Sequence, residues 1–377
     1  MPQKKCSRGD IAFDARMFHH SGIGTYIRGL LSGFEGHPFF ENHPLGIGLP
    51  PSATWNGKSG VRRFNFYSPI YSLQEQMEYP FHLQENRLWH APHYNAPFFN
   101  GKSRLVVTIH DLIHWIFRGR FFSKAQASYT RLLLQRIVKT AGKIIAVSNR
   151  TREDLISYFG APPEKVRVIY EGVDPAYFNP PPTGERKKVL DKYGLPENFF
   201  LYVGLIKPHK NVGRLVSIYK SMRQRRTIEA SLVIVGKKDK KYPAGYEELA
   251  GIKTGEGIYY LTGVDSQSDL GALYASVMAL VHPSLYEGFG LTVLEAMASG
   301  APVIVSRAAS LPEVVGEAGY FVDPLSDDSV VQALSEMERK EALRKSLSEK
   351  GKKRAAQFGW KAAADETVKV YQEVLRG

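Results

Sequence analysis

The chain has 377 residues, and its 43% hydrophobic and 12% aromatic content excludes an intrinsically disordered polypeptide, which cannot bury that much apolar surface. The single cysteine, Cys6, excludes an intramolecular disulfide and a metal site built from thiolates, and it favours a reducing compartment. The net charge of +13 lies mostly in residues 1–180, with 22 Lys and Arg against 13 Asp and Glu, which favours anionic partners; a solvated basic surface without a partner is the alternative.

Along the first half of the chain, short apolar segments rich in β-branched residues alternate with helix-length amphipathic segments. The predicted strands are 10–15, 45–49, 87–91, 104–110, 143–147 and 165–170. The predicted helices are 24–34, 123–140 and 149–159. A proline-rich, charged break at 178–188 then predicts a linker, because proline and clustered charge interrupt regular structure.

The alternation resumes in the second half, where the predicted strands are 199–204, 231–236, 258–261, 278–281, 302–306 and 320–323. Continuous apolar strands such as SLVIVG and RLVVTIH favour parallel sheets that are covered on both faces. We therefore expect an α/β protein with two doubly wound domains in tandem. Ligands bind beyond the carboxyl ends of the strands in such sheets, so the functional residues are expected in the loops that leave the strands.

The stretch EGFGLTVLEAMASG (287–300) joins a predicted strand to a predicted helix. Its glycines allow a tight turn, and the start of the helix presents free N–H groups and the positive end of the helix dipole, which suit a phosphate. Glu287 lies before the helix and Glu295 lies one turn inside it. Separate roles are therefore expected for these two carboxylates rather than a paired acid and base, with a surface pair as the alternative.

The spacing of the two glutamates within HPSLYEGFGLTVLEAMASGAPVIVS resembles the nucleotide-sugar site of the retaining glycosyltransferases of family 4, which have the GT-B architecture. The resemblance extends over nearly the whole chain through the segments SGIGTYIRGLL, TIHDLIHW, IIAVSNRTREDL, VIYEGVD and LYVGLIKPHKN. It implies two Rossmann-like domains facing each other across a cleft: an N-terminal acceptor-binding domain (1–178) and a C-terminal nucleotide-sugar-binding domain (179–358). Residues 359–377 are implied to form a helix that packs back on the N-terminal domain.

The resemblance also implies roles for individual residues. His110, Glu287 and Lys210 are the expected catalytic residues, with Glu287 and His110 against the transferred sugar and Lys210 facing the diphosphate. Glu295 is expected to hold the ribose hydroxyls. The remaining expected donor contacts are the backbone of Phe289, Gly290 and Leu291, the side chain of Thr292, and Gly22 and Gly24 of the first domain.

One position departs from the family pattern. Many members have an arginine directly after the glycine that ends the first strand of the second domain, whereas this chain has Leu205. Lys207 or His209 is expected to supply the second cation, and the sequence leaves both open. No Asp-x-Asp motif is present, which fits the metal-independent chemistry that the resemblance implies, so we expect neither a metal site nor a cofactor beyond the substrate nucleotide sugar.

The expected acceptor-binding residues are Tyr94, Asn95 and Asp111, and the aromatic-rich segments 66–81 and 89–99 suit either a sugar-stacking wall or a core. GLIKPHKN and GIGTYIRGLL are most similar to bacterial mannosyltransferases of surface polysaccharide synthesis. This similarity implies GDP-mannose as the donor and a saccharide or lipid-linked saccharide as the acceptor. A UDP-hexose donor remains open.

Residues 1–10 lack the apolar core of a signal peptide, and no stretch of about 18 apolar residues is present, so a cytoplasmic protein is expected. The segment 123–143 combines cations with an apolar stripe, which suits either packing on its own sheet or a peripheral position at the inner face of the membrane. Two rival functions stay open. One is another GT-B enzyme, such as an epimerase or phosphorylase; the other is a basic nucleic-acid-binding protein, which no recognisable motif supports.

Overall fold

The computed structural model describes residues 9–53, 61–238 and 256–376, and it divides into two compact units. The first unit comprises Met1–Gly172 and Gly359–Gly377, and the second comprises Val173–Phe358. The chain thus enters the second unit six residues before the expected boundary after residue 178. The reason is local: the ring of Tyr177 packs 6.0 Å from that of Tyr274, which belongs to the second unit.

The expectation of a linker at 178–188 is wrong. A 3-10 helix, Pro175–Phe178, leads into the α-helix Thr183–Lys192 within the second unit. Arg186 of this helix donates a hydrogen bond to the carbonyl of Ala275, which anchors the helix to the same unit. The prolines precede the helix, and proline is tolerated there because the first turn has no intrahelical partner for its backbone N–H.

A sheet of seven parallel strands forms the centre of the first unit as far as the structure describes it. The strands are β1 Gly9–Asp14, β2 Leu45–Leu49, β3 Arg62–Asn65, β4 Asn86–Ala91, β5 Arg104–Ile109, β6 Lys143–Ala146 and β7 Val166–Val168. They lie in the order β3-β2-β1-β4-β5-β6-β7, and each neighbouring pair is parallel. The predicted parallel sheet is confirmed; β3 was not predicted.

The helices that cover this sheet begin and end at residues suited to those positions. They are α1 Ile23–Phe34, α2 Phe39–Asn42, α3 Leu73–Leu83, α4 Ile113–Ile116, α5 Lys124–Thr140 and α6 Asn149–Phe159. Ser123 and Gln126 form a capping box at the start of α5, and Ser148 caps α6. Gly160 ends α6 in the left-handed conformation that favours glycine.

The second unit repeats this architecture. Its strands are β8 Phe199–Val203, β9 Ser231–Val235, β10 Ile258–Leu261, β11 Ala279–His282, β12 Val303–Ser306 and β13 Gly319–Val322, all parallel, in the order β10-β9-β8-β11-β12-β13. Its helices are α7 Thr183–Lys192, α8 Val212–Gln224, α9 Gln267–Ser276, α10 Leu291–Ala298, α11 Leu311–Val315, α12 Asp327–Arg339 and α13 Glu341–Ala355.

The last helix, α14 Trp360–Arg376, crosses back to the first unit, as the resemblance implies. It packs so closely on α1 that two positions there require glycine. A Cβ atom at Gly29 would lie 2.1 Å from Cε2 of Trp360, and one at Gly33 would lie 2.4 Å from the carbonyl oxygen of Trp360. Farther along, the hydroxyl of Tyr371 lies 2.6 Å from Nδ1 of the buried His90.

Strand order reverses at one place in each sheet. In the first unit this place lies between β1 and β4, and in the second it lies between β8 and β11. At such a switch point the loops leaving the two strands diverge and open a crevice at the carboxyl ends, where ligands bind in doubly wound folds. The loops after these four strands therefore define where site residues should lie in each unit.

Candidate active site

Two loops meet at the switch point of the second unit. One follows β8 and contains the 3-10 helix Pro208–Lys210, and the other follows β11 and leads into α10. The backbone N–H of Leu285 donates to the carbonyl oxygen of His209 at 2.7 Å, which ties the two loops together. This arrangement brings Lys210 and Glu287, separated by 77 positions in the sequence, into direct contact.

Lys210, Glu287 and His282 form a charged centre in the second unit. Lys210 Nζ donates to both carboxylate oxygens of Glu287, at 2.6 Å to Oε1 and 2.7 Å to Oε2. His282 Nε2 lies 2.7 Å from Glu287 Oε1, and its ring stacks on that of Tyr202 with an interplanar angle of 8°. Sequence reasoning missed His282, although a polar residue that ends the apolar strand ALVH is a usable signal.

The charged centre keeps Glu287 ionised. Burial by itself would raise the pKa of the Glu287 carboxyl, but the charges of Lys210 and His282 and their hydrogen bonds outweigh burial and hold this pKa well below its ordinary value. A buried carboxylate that stays ionised can hold a neighbouring cation in a fixed position. Lys210 is therefore an oriented cation at the carboxyl end of a parallel sheet.

The loop around Glu287 is held by hydrogen bonds to its backbone carbonyl oxygens. The hydroxyl of Ser310 donates to the carbonyl oxygens of Glu287 and Phe289, both at 2.9 Å. Gly290 precedes α10 with a φ of 110°, and a Cβ atom there would lie 2.9 Å from Cδ2 of Leu311. The positive φ of this turn therefore favours glycine. Phe289 is buried beneath this turn.

The other predicted donor-binding residues occupy nearby parts of the same unit. Glu295, Leu291 and Thr292 lie half-buried in the first turns of α10, and the hydroxyl of Tyr274 donates to Glu295 Oε2 at 3.4 Å. In the loop after β8, His209 is buried and Lys207 is half-buried. Leu205 contributes its carbonyl oxygen as an acceptor for the hydroxyl of Tyr202, at 3.3 Å.

His110 of the first unit lies directly after β5, one residue beyond the strand that was predicted to end with it. Its Nδ1 lies 2.8 Å from Glu171 Oε1 and its Nε2 lies 2.9 Å from the carbonyl oxygen of Pro92. Both ring nitrogens must donate to serve these acceptors, which requires the imidazolium form. Burial would lower the pKa of His110, but the contacts with Glu171 and Pro92 outweigh burial and raise this pKa above its ordinary value.

Glu171 was not predicted as a site residue, although it lies in the quoted segment VIYEGVD. It is buried against His110. The two glycines predicted to approach phosphate have structural roles. Gly22 precedes α1 with a φ of 67°, and a Cβ atom at Gly24 would lie 2.7 Å from the carbonyl oxygen of Phe18. Turn geometry and packing therefore account for both glycines within the first unit.

The predicted acceptor-binding residues lie in the loops after β4 and β5. Tyr94 is buried, with its hydroxyl 3.2 Å from Nδ1 of His114. Asn95 is buried, and its Nδ2 donates to Glu75 Oε1 at 2.8 Å. Asp111 accepts a hydrogen bond from the backbone N–H of Ile113 at 3.0 Å, which begins α4.

A second charged centre, missed by sequence reasoning, lies at the switch point of the first unit. Arg16 follows β1 and donates from Nε to Asp14 Oδ1 at 2.9 Å and from Nη2 to Asp14 Oδ2 at 2.5 Å. Its Nη2 also lies 2.6 Å from Glu75 Oε1 and 2.6 Å from the hydroxyl of Tyr79. The usable signal was the polar pair Asp14 and Arg16 at the end of an apolar strand.

Within 9–53, 61–238 and 256–376, no group of three or more His, Cys, Asp or Glu side chains is arranged to hold a metal ion. No helix in this part of the chain is both long and apolar enough to span a bilayer.

Comparison with known proteins places the chain in a family. Residues 185–354 match the model for glycosyl transferases group 1, and residues 30–177 match that for glycosyltransferase family 4. The chain is 30% identical over 292 residues to the O-antigen chain mannosyltransferase B of Escherichia coli, covering 76% of this chain and 74% of that protein. It is 30% identical over 288 residues to the MMP alpha-(1->4)-mannosyltransferase of Mycolicibacterium hassiacum, covering 72% and 66%.

Solved structures agree on the fold. Anabaena Alr3699/HepE in complex with UDP and glucose superposes with a TM-score of 0.76 at 18% identity, covering 97% of this chain and 99% of that one. The strand orders, the switch-point loops and the relatives over most of the chain lead to one conclusion. This chain belongs to the group 1 and family 4 glycosyltransferases and has their GT-B fold.

Proposed function

We propose that this glycosyltransferase transfers a mannosyl group from a nucleoside-diphosphate sugar to a hydroxyl of a saccharide or lipid-linked saccharide, with retention of configuration and without a metal ion. GDP-mannose is the favoured donor, because two relatives named as mannosyltransferases are 30% identical to the chain. A UDP-hexose is the second candidate, because a protein of the same fold was crystallised with UDP and glucose. A cytoplasmic location, with a peripheral position at the membrane, belongs to the same proposal.

The observation that carries the proposal is the contact between Lys210 and Glu287 at the switch point of the second unit. A lysine ammonium has three protons, and the two carboxylate oxygens, at 2.6 and 2.7 Å, accept two of them. The third proton can be donated to a phosphate oxygen. The Lys210 side chain retains 20% of its exposure, so a ligand can reach it from solvent. A fixed, accessible cation suits the charge that develops on a leaving diphosphate.

The surrounding residues are assigned to the donor in the same proposal. Glu295, oriented by Tyr274, binds the ribose hydroxyls. The backbone N–H groups of Phe289, Gly290 and Leu291 face the phosphates or the sugar, with Thr292 beside them. Gly22 and Gly24 supply backbone contacts from the first unit. Lys207 or His209 supplies the second cation that Leu205 cannot supply.

In the proposed reaction, the bond between the anomeric carbon and the leaving phosphate oxygen breaks, and a bond from this carbon to the acceptor oxygen forms on the same face. The departing diphosphate takes the proton of the acceptor hydroxyl, so atoms and charge balance without a metal ion. Glu287 supports the positive charge on the sugar. His110 donates from Nε2 to a sugar oxygen in place of the Pro92 carbonyl.

A thermal-shift panel with GDP, GDP-mannose, UDP, UDP-glucose and ADP tests the donor assignment. A ligand at 100 times its dissociation constant stabilises the native state by about 2.7 kcal/mol, enough to raise the unfolding midpoint by several degrees. We expect GDP and GDP-mannose to give this rise, with no change on adding EDTA. The control variant Lys345→Ala, which loses an exposed Lys–Glu pair in the same unit, should show the same rise as the native protein. Absence of a rise with all five nucleotides would contradict the proposal.

An outward apolar face on α3 supports a lipid-linked acceptor. Leu73, Met77 and Phe81 recur at intervals of four on this helix and are 86%, 66% and 73% exposed. The polar side chains of Glu75 and Tyr79 point inward instead. A soluble helix usually has the opposite arrangement, so an exposed apolar face of this kind indicates an interaction surface.

A cation of α5, Arg136, is linked to this face through Phe98. Gln76 of α3 accepts a hydrogen bond from the backbone N–H of Phe98 at 2.8 Å, and Arg136 of α5 donates to the carbonyl oxygen of Phe98 at 2.7 Å. The guanidinium of Arg136 lies 5.5 Å from the ring centre of the exposed Phe99. The segment 98–140 has eight Lys and Arg and one Asp. Apolar side chains beside excess positive charge suit the surface of a bilayer that contains anionic lipids.

Sedimentation with phosphatidylcholine vesicles, with and without phosphatidylglycerol, tests this surface. We expect binding only to the anionic vesicles and a loss of most of it in the triple variant Leu73→Ser, Met77→Ser, Phe81→Ser. The matched control is Gln74→Ser with Gln84→Ser, two exposed positions at the same helix. Equal sedimentation of the triple variant and the native protein would exclude this surface as the membrane contact.

A further inference from the structure

We propose that the first unit binds one hydroxyl group of the acceptor saccharide between Arg16 Nη1 and Asn95 Oδ1. This inference rests on the proposed function, in which the first unit binds a saccharide. It adds Arg16 as a specificity-determining residue and gives Asn95 a defined partner. The two residues follow β1 and β4, the strands at the switch point, where ligands bind in folds of this kind.

Two polar atoms at this place have no hydrogen-bond partner in the described part of the chain. They are Nη1 of Arg16 and Oδ1 of Asn95, and the residues are only 5% and 4% exposed. A buried donor or acceptor without a partner costs about 1–3 kcal/mol, so native proteins rarely leave one unsatisfied without a functional reason. Here a donor and an acceptor are unsatisfied together.

Both residues line the same small cavity. Its other walls include Met17, Ile70 and His93, and its volume is about 10 Å³. This volume holds roughly one water molecule or one hydroxyl group. A hydroxyl accepts one hydrogen bond and donates another, so it can accept from Arg16 and donate to Asn95 at the same time. The cavity therefore matches a hydroxyl in size and in hydrogen-bonding capacity.

The surrounding contacts hold these two atoms in place. Asn95 Nδ2 donates to Glu75 Oε1, which fixes the amide because the opposite orientation would place two oxygens together. The guanidinium of Arg16 is held by Asp14 and Glu75, and it lies 4.0 Å from the ring centre of Phe66. Neither side chain has to reorganise to receive a hydroxyl, which favours discrimination between substrates.

The charge of this centre selects against anions. One arginine lies between the carboxylates of Asp14 and Glu75, both buried and within 2.6 Å of its Nη2. When both carboxylates are ionised, the three groups together carry one negative charge. A phosphate or carboxylate would be repelled, whereas a neutral hydroxyl would not. This charge excludes anions, and with the proposed function it leaves a neutral hydroxylated sugar as the ligand class.

Ligand-observed NMR of the full chain without a nucleotide tests this inference. The probes are the methyl glycosides of mannose, glucose, galactose and N-acetylglucosamine, followed by the monodeoxy analogues of the one that binds best. We expect one monodeoxy analogue to bind at least about tenfold more weakly than its parent. We expect Arg16→Lys and Asn95→Ala to lose this discrimination, whereas Arg63→Lys, an exposed arginine in the same unit, retains it.

Three results would overturn the inference. They are no binding of any methyl glycoside, equal binding of all monodeoxy analogues, and unchanged discrimination in whichever of Arg16→Lys and Asn95→Ala remains folded. Each would leave the cavity as the site of a structural water. Failure of the donor assignment is distinguishable, because that result comes from the nucleotide panel, which does not depend on Arg16 or Asn95.

Discussion

The two units place charged centres at equivalent positions of the same fold, but with different ratios of lysine or arginine to carboxylates. In the second unit, Lys210 and His282 share the single carboxylate of Glu287. In the first unit, the single guanidinium of Arg16 lies between the two carboxylates of Asp14 and Glu75. The crevice at a switch point is a property of the topology, whereas the ratio of cations to carboxylates depends on a few side chains.

This difference suits the substrates that the proposed function assigns to the two units. A centre whose lysine is matched by one carboxylate does not repel a diphosphate, while a centre with more carboxylates than cations repels it and accepts neutral hydroxyls. The donor of the proposed reaction is anionic, and the hydroxyl that it glycosylates is neutral. One fold used twice can thus separate donor binding from acceptor binding by charge.

The largest effect is expected from Arg16→Ala, which removes the cation from the charged centre of the first unit. Arg16→Ala leaves two buried carboxylates facing each other without a cation, which should lower the free energy of unfolding by about 3–5 kcal/mol. Denaturant titration measures this change, and Arg63→Ala should stay within about 0.5 kcal/mol of the native protein. If Arg16→Ala had the same midpoint of denaturant unfolding as the native protein, Asp14 and Glu75 could not both be charged. The comparison between the two charged centres would then fail.

Lys210→Ala removes the lysine cation from the charged centre of the second unit. Removing one preorganised group that stabilises developing charge should lower kcat by about 10²–10³. The measurement is transfer from GDP-mannose under saturating donor, with Lys345→Ala as the control. Native turnover in Lys210→Ala would remove this residue from the mechanism.

His282→Asn should have a smaller effect in the same centre. It removes the contact of Nε2 with Glu287 but leaves Lys210 as a partner, so the free energy of unfolding should fall by about 1–3 kcal/mol. Denaturant titration beside the exposed-site variant His19→Asn measures the difference. An effect as large as that of Arg16→Ala would mean that His282, rather than Lys210, is the main partner of Glu287.

The smallest expected effect is the contribution of His110 to the pH dependence of stability. Its pKa is raised in the folded protein, so its proton stabilises the native state fully below the unfolded pKa of about 6.5 and less as pH rises through the folded value. The stability difference between the native protein and His110→Gln should therefore shrink above about pH 6.5. Denaturant titrations from about pH 5.5 to about pH 9 measure it, and a difference that grows with pH would contradict the contact with Glu171.

The parallel sheets were predictable because their central strands are continuous apolar segments, and β2, β10 and α6 have the predicted bounds. β3 was missed because this edge strand, RRFN, begins with two arginines and shows no apolar run. α3 was missed because Leu73, Met77 and Phe81 point outward while Glu75 and Tyr79 point inward, which inverts the usual pattern at these positions. Local patterns therefore predict central elements better than edges and interaction surfaces.

The charged centre of the second unit was more predictable than that of the first unit. Lys210 and Glu287 lie in short motifs after strands, and the structure brings them into contact. Arg16, by contrast, takes its partner Glu75 from α3, which local pattern did not reveal. His282 and Glu171 lie in quoted segments, HPSLYEGFG and VIYEGVD, but the local pattern does not reveal that they contact Glu287 and His110. Pairs assembled from distant segments require the fold before they can be identified.

One measurement tests the separation of donor and acceptor by charge most directly. Isothermal titration calorimetry would compare GDP and the best-binding methyl glycoside on the native protein, Lys210→Ala and Arg16→Lys. We predict that Lys210→Ala weakens GDP binding at least about tenfold and leaves glycoside binding unchanged, and that Arg16→Lys does the reverse. If either variant weakened both ligands equally, or if neither variant affected its own ligand, the two centres would not divide the substrates between them.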